Sequence, residues 1–412
     1  MSDKKKIMIV DDSALMRRVL CDIINSIEGF EVAKTCKDGV EALEALQKTH
    51  YDAMLLDVEM PRMDGIRLLM EIQDRDINIT TLMASSYTTE NADITIRCME
   101  LGAVDFVAKP HDIAKLKTAE YRNKIANMLK VVQVSDPGKL KPKPDRSKSV
   151  QERYDSVMSA LSAARRKERA GTNSTAASNV SSAHSFTSAP TTPTPAPVFT
   201  QQAQAPVVTK APLSGASGSN RVIALACSTG GPKSLQSVIP FLEKNMDAPC
   251  VLVQHMPVGF TRSLAERLNE LSKVDVTEAV DGDILQKGHV YIAPGGRHLE
   301  VVPEPGGVHR IRLNDAPAIG GLRPCANVMY KSLVNSHYDE IVCVVLTGMG
   351  ADGTEGIVEL SKSKKIYVIS QDAKTSIVYG MPKAIAETGL SNEVLPLEQI
   401  AGATVRRVGL RR

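Results

Sequence analysis

The stretch VIALACSTGGP, residues 222–232, changes from a continuous apolar run into a glycine-rich turn. An uninterrupted run of Val, Ile, Leu and Ala is typical of a parallel strand that helices cover on both faces. The Ser-Thr-Gly-Gly-Pro segment that follows ends the strand and is suited to the start of a helix. The stretch therefore predicts a strand–turn–helix unit of an α/β domain, with polar side chains at the carboxyl end of the strand.

Similar apolar runs recur in both halves of the chain and alternate with segments of helical periodicity. We predict strands at 6–10, 30–35, 53–56, 81–84, 105–107, 222–226, 250–253, 290–292, 341–346 and 366–369. This alternation predicts an α/β fold with two doubly wound parallel-sheet domains. The predicted domains are 1–130 and 221–412, joined by a long linker at 131–220. In such sheets ligands bind at the carboxyl ends of the strands.

The composition argues against several classes of protein. The chain has 412 residues, a formal net charge of +3 and seven cysteines without C-x-x-C spacing. The cysteines are expected to be reduced thiols of a cytoplasmic protein, with neither a disulfide framework nor a zinc site. The small net charge gives no indication of nucleic-acid binding. The sequence contains no run of about 18 apolar residues, so no transmembrane segment is predicted. The N-terminus does not resemble a signal peptide.

The linker has a composition of its own. Between 170 and 219 the only charged residue is Lys210, and Ser, Thr, Ala and Pro dominate. Such a stretch buries too little apolar surface to order itself, which predicts a flexible tether. Apolar residues at helical spacing predict an amphipathic helix at 150–168. This helix either docks on its own protein or frays, or else it binds a partner.

Polar side chains follow four predicted strands of the N-terminal domain. Asp11 and Asp12 follow the first strand and Asp57 ends the third. If the sheet is parallel, the three carboxylates converge, and Mg²⁺ or Mn²⁺ would offset their repulsion. Ser85 and Lys109 would add a hydroxyl and an ammonium to the same pocket. The set predicts a phosphoryl-transfer site with Asp57 as acceptor, and the simpler alternative is that the aspartates only cap helices.

The same residues carry a resemblance to a known family. The segments VDDS at 10–13, LDVEMPRMDG at 56–65 and KP at 109–110 resemble the response-regulator receiver domain, over residues 1 to about 125. The resemblance implies that a histidine kinase is the phosphodonor and that Asp57 is phosphorylated. It implies a Mg²⁺ site formed by Asp12, Asp57, the backbone carbonyl of Glu59 and, through water, Asp11. It also implies that Lys109 contacts the phosphate, that Phe106 is a rotating aromatic and that Ser85 is the switch hydroxyl. Ser86 is the alternative to Ser85.

The glycine-rich turn at 228–232 admits three interpretations. Its backbone N–H groups can cradle a phosphate, it can expose a nucleophilic serine, or it can be only a structural turn. Neither functional motif is complete. The phosphate-loop lysine pattern is absent, and Ala226 stands where a serine elbow has its first glycine.

Two other strand ends favour serine chemistry. His255 follows the strand at 250–253, and Asp352 lies in a glycine-rich segment after the strand at 341–346. With Ser228 they form the nucleophile, general base and orienting carboxylate of acyl transfer. Taken singly, the histidine could be structural and the aspartate a turn or cap residue. Backbone N–H groups near Met349 or Thr229 would form an oxyanion hole.

Motifs in the C-terminal domain carry a second resemblance. The segments ACSTGGP (226–232), QHMP (254–257), FT (260–261), YIAPGG (291–296), LTGMGADG (346–353), QD (371–372) and YGMP (379–382) resemble the CheB-type methylesterase domain, over roughly 221–405. With the preceding receiver, the order of domains is similar to that of the chemotaxis response-regulator methylesterases. Three residues depart from the usual family pattern: Cys227, Cys325 and Asn327.

The second resemblance implies a function. It implies hydrolysis of glutamate methyl esters on chemoreceptors with release of methanol, and deamidation of receptor glutamines. Ser228 would attack the ester carbonyl, His255 would take its proton, Asp352 would hold the imidazole, and Met349 N–H would help to bind the oxyanion. The esterase reaction would need no cofactor, and the protein would be recruited from the cytoplasm to membrane receptor arrays.

Coupling of the two domains is expected to depend on phosphorylation. We expect the unphosphorylated receiver to pack over the Ser228 pocket and to exclude receptor helices, and phosphorylation of Asp57 to break that interface. The alternative is a response regulator outside chemotaxis whose output domain binds a phosphate or nucleotide without catalysis.

Overall fold

The computed structural model describes residues 4–86, 88–110, 112–134, 144–173 and 220–411. The segments 135–143 and 174–219 lie outside the described residues, and with them most of the predicted tether. Two parallel-sheet α/β domains are present, and together they belong to one compact unit. The predicted fold class is confirmed.

The N-terminal domain has a five-stranded parallel sheet. Its strands are β1 (Lys5–Val10), β2 (Phe30–Cys36), β3 (Ala53–Asp57), β4 (Thr80–Ser86) and β5 (Asp105–Lys109). Its helices are α1 (Ala14–Asn25), α2 (Gly39–Leu46), α3 (Gly65–Asp74), α4 (Thr89–Glu100) and α5 (Ala119–Val134). The strand order is β2-β1-β3-β4-β5, so the ends of β1, β3, β4 and β5 lie along one edge. All five predicted strands are confirmed, each longer by one to three residues.

Helix starts in this domain follow from side-chain caps. The side chain of Ser13 accepts a hydrogen bond from Met16 N at the start of α1, and that of Asp64 accepts one from Arg67 N at the start of α3. Each cap satisfies a backbone N–H that has no partner within its helix. The caps fix where the chain turns from strand to helix beside the polar edge of the sheet.

The C-terminal domain has a seven-stranded parallel sheet and a separate antiparallel hairpin. The sheet strands, in spatial order, are β14 (Ser391–Leu395), β13 (Lys365–Gln371), β12 (Glu340–Val345), β6 (Arg221–Cys227), β7 (Cys250–Gln254), β9 (His289–Ile292) and β8 (Asp275–Glu278). The hairpin strands are β10 (His298–Pro303) and β11 (His309–Asn314). The helices are α7 (Gly231–Gln236), α8 (Phe260–Leu271), α9 (Ala326–Ser332), α10 (Thr354–Ser361), α11 (Met381–Glu387) and α12 (Leu397–Val408).

Strand β6 shows why the continuous apolar run identified this sheet. Successive side chains of a strand point to opposite faces. Ile223 and Leu225 enter one apolar cluster, whereas Val222, Ala224 and Ala226 enter the cluster on the other face. Both faces are buried, so every position is apolar. Strands β8, β10, β11 and β14 were not predicted, because they are edge or hairpin strands in which polar residues alternate with apolar ones.

A helix between the domains, α6 (Val150–Asn173), covers the segment 150–168 that was expected to be an amphipathic helix and extends five residues beyond it. Its first turns dock on α3 of the N-terminal domain. Arg153 pairs with Asp74 at 2.7 Å, and the hydroxyl of Tyr154 donates to Asp64. These contacts agree with docking of its first turns on its own protein. Within the described part of the chain, no helix has the length and apolar character needed to cross a bilayer.

Candidate functional site

The polar edge of the first sheet gathers the predicted acidic residues. Asp57 ends β3 and Lys109 ends β5, and Lys109 Nζ lies 2.6 Å from Asp57 Oδ2 and 2.7 Å from Asp11 Oδ2. Carboxylate oxygens of Asp11, Asp12 and Asp57 lie within 4.8 Å of one another. The sequence prediction that strand order brings these side chains together agrees with this geometry.

The electrostatics of this pocket suit a cation and a phosphoryl group. Burial raises the pKa of Asp57 to about 6, with a further contribution from Asp11, against the lowering effect of Lys109. Burial disfavours the charged form of Lys109, but Asp57 and Asp11 outweigh it and raise its pKa. Three clustered carboxylates with one ammonium form an all-oxygen donor set that fits Mg²⁺. Glu59 lies in the exposed loop after β3, where its side chain takes no part in the cluster.

Ser85 is fully buried one residue before the end of β4. Its Oγ lies within hydrogen-bond distance of Thr95 Oγ1, at 2.8 Å, and Thr95 Oγ1 lies 2.6 Å from Asn91 O. Thr95 and Asn91 belong to α4. The hydroxyl expected to respond to phosphorylation is therefore tied directly to that helix.

In the second domain, Ser228 lies in the tight turn between β6 and α7. Gly230 adopts φ +77°, a left-handed conformation that favours glycine, and Gly231 N donates to Ser228 O at 2.7 Å. A Cβ on Gly348 would lie only 2.9 Å from Ser228 Cβ. The segment after β12 therefore approaches the serine closely because residue 348 has no side chain.

Strand register brings His255 next to this serine. Cys227 pairs with Gln254 across β6 and β7, so the residues that follow, Ser228 and His255, leave neighbouring strands side by side. Neighbouring strands are about 4.8 Å apart. His255 Nε2 lies 2.8 Å from Asp352 Oδ2, which leaves Nδ1 for the serine. No hydrogen bond joins Ser228 Oγ to the imidazole among the described residues, and such contacts commonly tighten only when substrate binds.

Asp352 is a buried carboxylate that stays ionised. Burial alone would raise its pKa, but hydrogen bonding and charge interaction with His255, and the backbone N–H groups of Ala326 and Asn327, hold it at about 2. The N–H groups of Ala326 and Asn327 begin α9, so the side chain also serves that helix. The two roles expected as alternatives, orienting an imidazole and capping, are here combined in one residue.

The predicted oxyanion donors border the serine. Neither Thr229 N–H nor Met349 N–H donates a hydrogen bond within the described residues. Both groups therefore stay available to an oxygen at the serine. Their assignment as oxyanion donors stays a prediction.

Gln254 is a residue that sequence reasoning passed over. Its side-chain amide donates to Ser228 O at 3.0 Å and to His255 O at 3.2 Å, and its Oε1 accepts from Cys227 Sγ at 3.0 Å. Its amide group therefore links the backbones of Ser228 and His255. The available signal was a glutamine at the buried end of β7, directly before the histidine.

The N-terminal domain contacts this site directly. Asp105 Oδ2 accepts a hydrogen bond from Thr229 Oγ1 at 2.6 Å, next to Ser228. The rings of Phe106 and Phe260 lie 4.4 Å apart between centroids. The half-buried Met349 packs against an apolar cluster in which residues of the N-terminal domain are joined by Ile377 and Val378 of the C-terminal domain. The residue predicted to be a rotating aromatic therefore lies at the domain contact.

Helices α4 and α8 form the outer part of this contact. Ala92 and Ile96 of α4 are buried in an apolar cluster with residues of the C-terminal domain. Glu100 pairs with Arg267 at 2.6 Å. Arg97 also reaches Glu270 of α8, at 3.5 Å. An apolar centre edged by ion pairs is the usual composition of a specific protein interface.

Comparison with known proteins identifies both domains. Residues 223–404 match the family model described as CheB methylesterase, and residues 7–120 match the response regulator receiver domain. A protein-glutamate methylesterase/protein-glutamine glutaminase of Pyrococcus horikoshii is 38% identical over 408 residues, covering 99% of this chain and 95% of that protein. One of Geobacillus kaustophilus is 35% identical over 404 residues, covering 98% and 99%. The crystal structure of the Thermotoga maritima CheB methylesterase catalytic domain is 40% identical, covers 46% of this chain and all of that chain, and has a TM-score of 0.44.

Proposed function

This chain belongs to the CheB methylesterase family, and from that premise we propose that it is a phosphorylation-activated serine hydrolase of chemotaxis adaptation. Its substrates are glutamate methyl esters, and also glutamine amides, on chemoreceptors. The observation that carries the proposal is the 2.8 Å contact of His255 Nε2 with Asp352 Oδ2, beside Ser228 in strand register. We propose that residues 1–130 form the receiver domain, 131–220 the linker and 221–412 the catalytic domain. We also propose that the protein is recruited to receptor arrays.

The geometry supports a two-step hydrolysis. Ser228 Oγ attacks the ester carbonyl while His255 Nδ1 takes the hydroxyl proton, and Asp352 stabilises the imidazolium that forms. Backbone N–H groups of Met349 and Thr229 receive the oxyanion. The imidazolium returns its proton to the departing methoxide, which leaves as methanol. Water then attacks the acyl-enzyme by the same route, which restores Ser228 and leaves the receptor side chain as a glutamate carboxylate.

The contacts of the receiver support control of this step by phosphorylation. Asp105 binds Thr229 beside the nucleophile, and Phe106 packs on Phe260, so the unphosphorylated receiver covers the approach to Ser228. Asp11, Asp12 and Asp57 would hold Mg²⁺, whose charge assists phosphoryl transfer from a histidine kinase. Once Asp57 is phosphorylated, we propose that Ser85 leaves Thr95 for the phosphoryl group and that α4 shifts away from α8.

The alternative, an output domain that only binds phosphate or nucleotide, is not favoured. A phosphate cradle depends on backbone N–H groups at a helix start and has no use for a buried histidine–carboxylate pair. His255 and Asp352 are arranged for proton transfer, and the full-length relatives carry methylesterase names.

Methanol release from methylated receptor membranes tests the proposal. With a small-molecule phosphodonor and Mg²⁺, we expect the rate of the wild-type chain to rise by about tenfold or more, because a minor open state becomes the main one. Asp57→Asn should keep the low basal rate and lose the response. Asp76→Asn, which changes an exposed aspartate outside the pocket, is the matched control and should respond as the wild type does.

Two results would contradict this proposal. A wild-type chain that releases no methanol with or without the phosphodonor would rule out the esterase assignment. Equal stimulation of the wild type and of Asp57→Asn would keep the esterase but remove Asp57 as the control point.

The ion pair between α4 and α8 gives a second test of receiver control. Glu100→Arg places like charges against Arg267 and should raise the basal rate roughly fivefold, because a partly buried pair of this kind contributes about 1 kcal/mol to the closed form. The double variant with Arg267→Glu should return to the wild-type rate. Glu120→Lys, in an exposed pair with Lys124, is the control. An unchanged basal rate in Glu100→Arg would argue against a closed form held by this interface.

A further inference from the structure

Besides His255, Asp352 is held by the residues that begin α9 and by Gly353 N, which donates to Oδ1 at 2.9 Å. Cys325 Sγ lies 3.1 Å from Asp352 Oδ1. The N–H groups of Ala326 and Asn327 donate to Oδ2 and Oδ1 at 2.6 and 3.0 Å. Among the described residues, Cys325 and His255 are the two side chains hydrogen-bonded to this carboxylate.

The thiol of Cys325 is a proton donor in this setting. The side chain is 1% exposed. Burial and the adjacent Asp352 raise the pKa of the Cys325 thiol to about 11, so it keeps its proton at neutral pH. A protonated, buried thiol is neither a nucleophile nor a metal ligand. In this position the thiol acts as a hydrogen-bond donor to Asp352 Oδ1.

The backbone around Asp352 is fixed by other contacts. Asn327 Oδ1 accepts hydrogen bonds from Gly353 N at 3.0 Å and from Gly356 N at 2.8 Å, which ties the start of α10 to α9. The main chain of residue 352 is therefore set without the thiol. What the thiol adds is a further donor to Oδ1, beside the N–H groups of Asn327 and Gly353, which restrains rotation of the carboxylate while Oδ2 faces the imidazole.

We propose that Cys325 is a positioning residue, whose S–H holds the Asp352 carboxylate in the rotation that presents Oδ2 to His255 Nε2. The proposal rests on the hydrolase function proposed above and deepens it. It assigns a role to a residue at which this chain departs from its family's usual serine. Because Cys325 is buried behind Asp352, it acts on the chemical step and makes no contact with substrate.

The test compares variants in the full-length chain, assayed with the phosphodonor on methylated receptor membranes. Cys325→Ala should lower kcat about three- to tenfold with KM unchanged, which is the range expected for one lost hydrogen bond. Cys325→Val, which removes the donor without leaving a cavity, should behave alike, and it replaces the alanine variant if that one does not fold. Cys325→Ser, which keeps a donor, should stay within about threefold of the wild type. Cys343→Ala, which removes an equally buried thiol in β12, should leave kcat unchanged.

A spectroscopic measurement separates positioning from folding. The Nε2–H proton resonance of His255, assigned with His255→Gln, should move upfield and exchange faster with solvent in Cys325→Ala and Cys325→Val. It should stay in place in Cys325→Ser and Cys343→Ala. An unmoved resonance in both donor-free variants, or equal loss of kcat in all three Cys325 variants, would overturn the proposal. If the wild type hydrolyses no ester while the resonance responds as described, the proposed function fails and the positioning role stands.

Discussion

Replacing Ser228 with alanine is expected to lower methanol release by about 10⁴-fold or more, as removal of the nucleophile does in hydrolases that use a serine triad. The physical reason is the loss of the covalent route, because alanine has no hydroxyl to attack the ester carbonyl. Initial rates on methylated receptor membranes, with the phosphodonor present, measure the effect.

Binding distinguishes a lost nucleophile from a damaged fold. Ser228→Ala should sediment with receptor membranes as the wild-type chain does, because the turn is held by backbone contacts and by Gln254. Ser237→Ala, at the other end of α7, is the matched control and should keep the wild-type rate within about twofold, as for a substitution outside the site. A Ser228→Ala chain that retains a tenth of the wild-type rate would exclude Ser228 as the nucleophile.

Asp352→Asn is expected to lower kcat by about 10³- to 10⁴-fold, the loss that follows when an orienting carboxylate becomes an amide. Asp352 accepts from Ala326 N, Asn327 N and His255 Nε2, whereas an asparagine has one accepting oxygen. Whichever way the amide turns, its NH₂ faces donors, and the imidazole is left in the wrong tautomer or rotation. Initial rates at saturating membrane concentrations measure this prediction.

An exposed aspartate provides the control for this substitution. Asp315→Asn changes a surface pair with Arg297 and should leave kcat unchanged. Thermal unfolding of Asp352→Asn should report folded protein, since Asn327 still ties α9 to α10. A kcat within tenfold of the wild type, in folded protein, would show that Asp352 serves the structure of the loop and not the reaction.

The elements that position both sites were predictable, because they depend on short-range sequence patterns. Continuous apolar runs identified the central strands, and Asp57 and Ser228 lie at or directly after the carboxyl ends of such strands. Parallel pairing then required the residues after those strands to meet. The edge strand β14 and the hairpin of β10 and β11 escaped prediction because their alternating pattern resembles that of exposed loops.

The contacts between domains were not predictable from sequence. The hydrogen bond of Asp105 to Thr229 joins residues 124 positions apart, and the pair of Glu100 with Arg267 joins residues 167 apart. Neither residue of the second pair stands out among the many charged residues of an amphipathic helix. Which nitrogen of the His255 imidazole contacts Asp352 depends on the rotation of the ring, and no sequence pattern encodes that rotation. The expectation that the receiver packs over the Ser228 pocket rested on the resemblance to receiver domains. The contacts that the receiver makes with Thr229 and Phe260 support it.

Mass spectrometry of the full-length chain, after treatment with a fluorophosphonate in the presence of the phosphodonor, tests whether Ser228, activated by His255 and Asp352, is the reacting group. We expect one adduct, on the peptide that contains Ser228, and it should form far more slowly in His255→Gln and Asp352→Asn. An adduct on another serine, or labelling of Ser228 at the same rate in all three chains, would contradict this assignment.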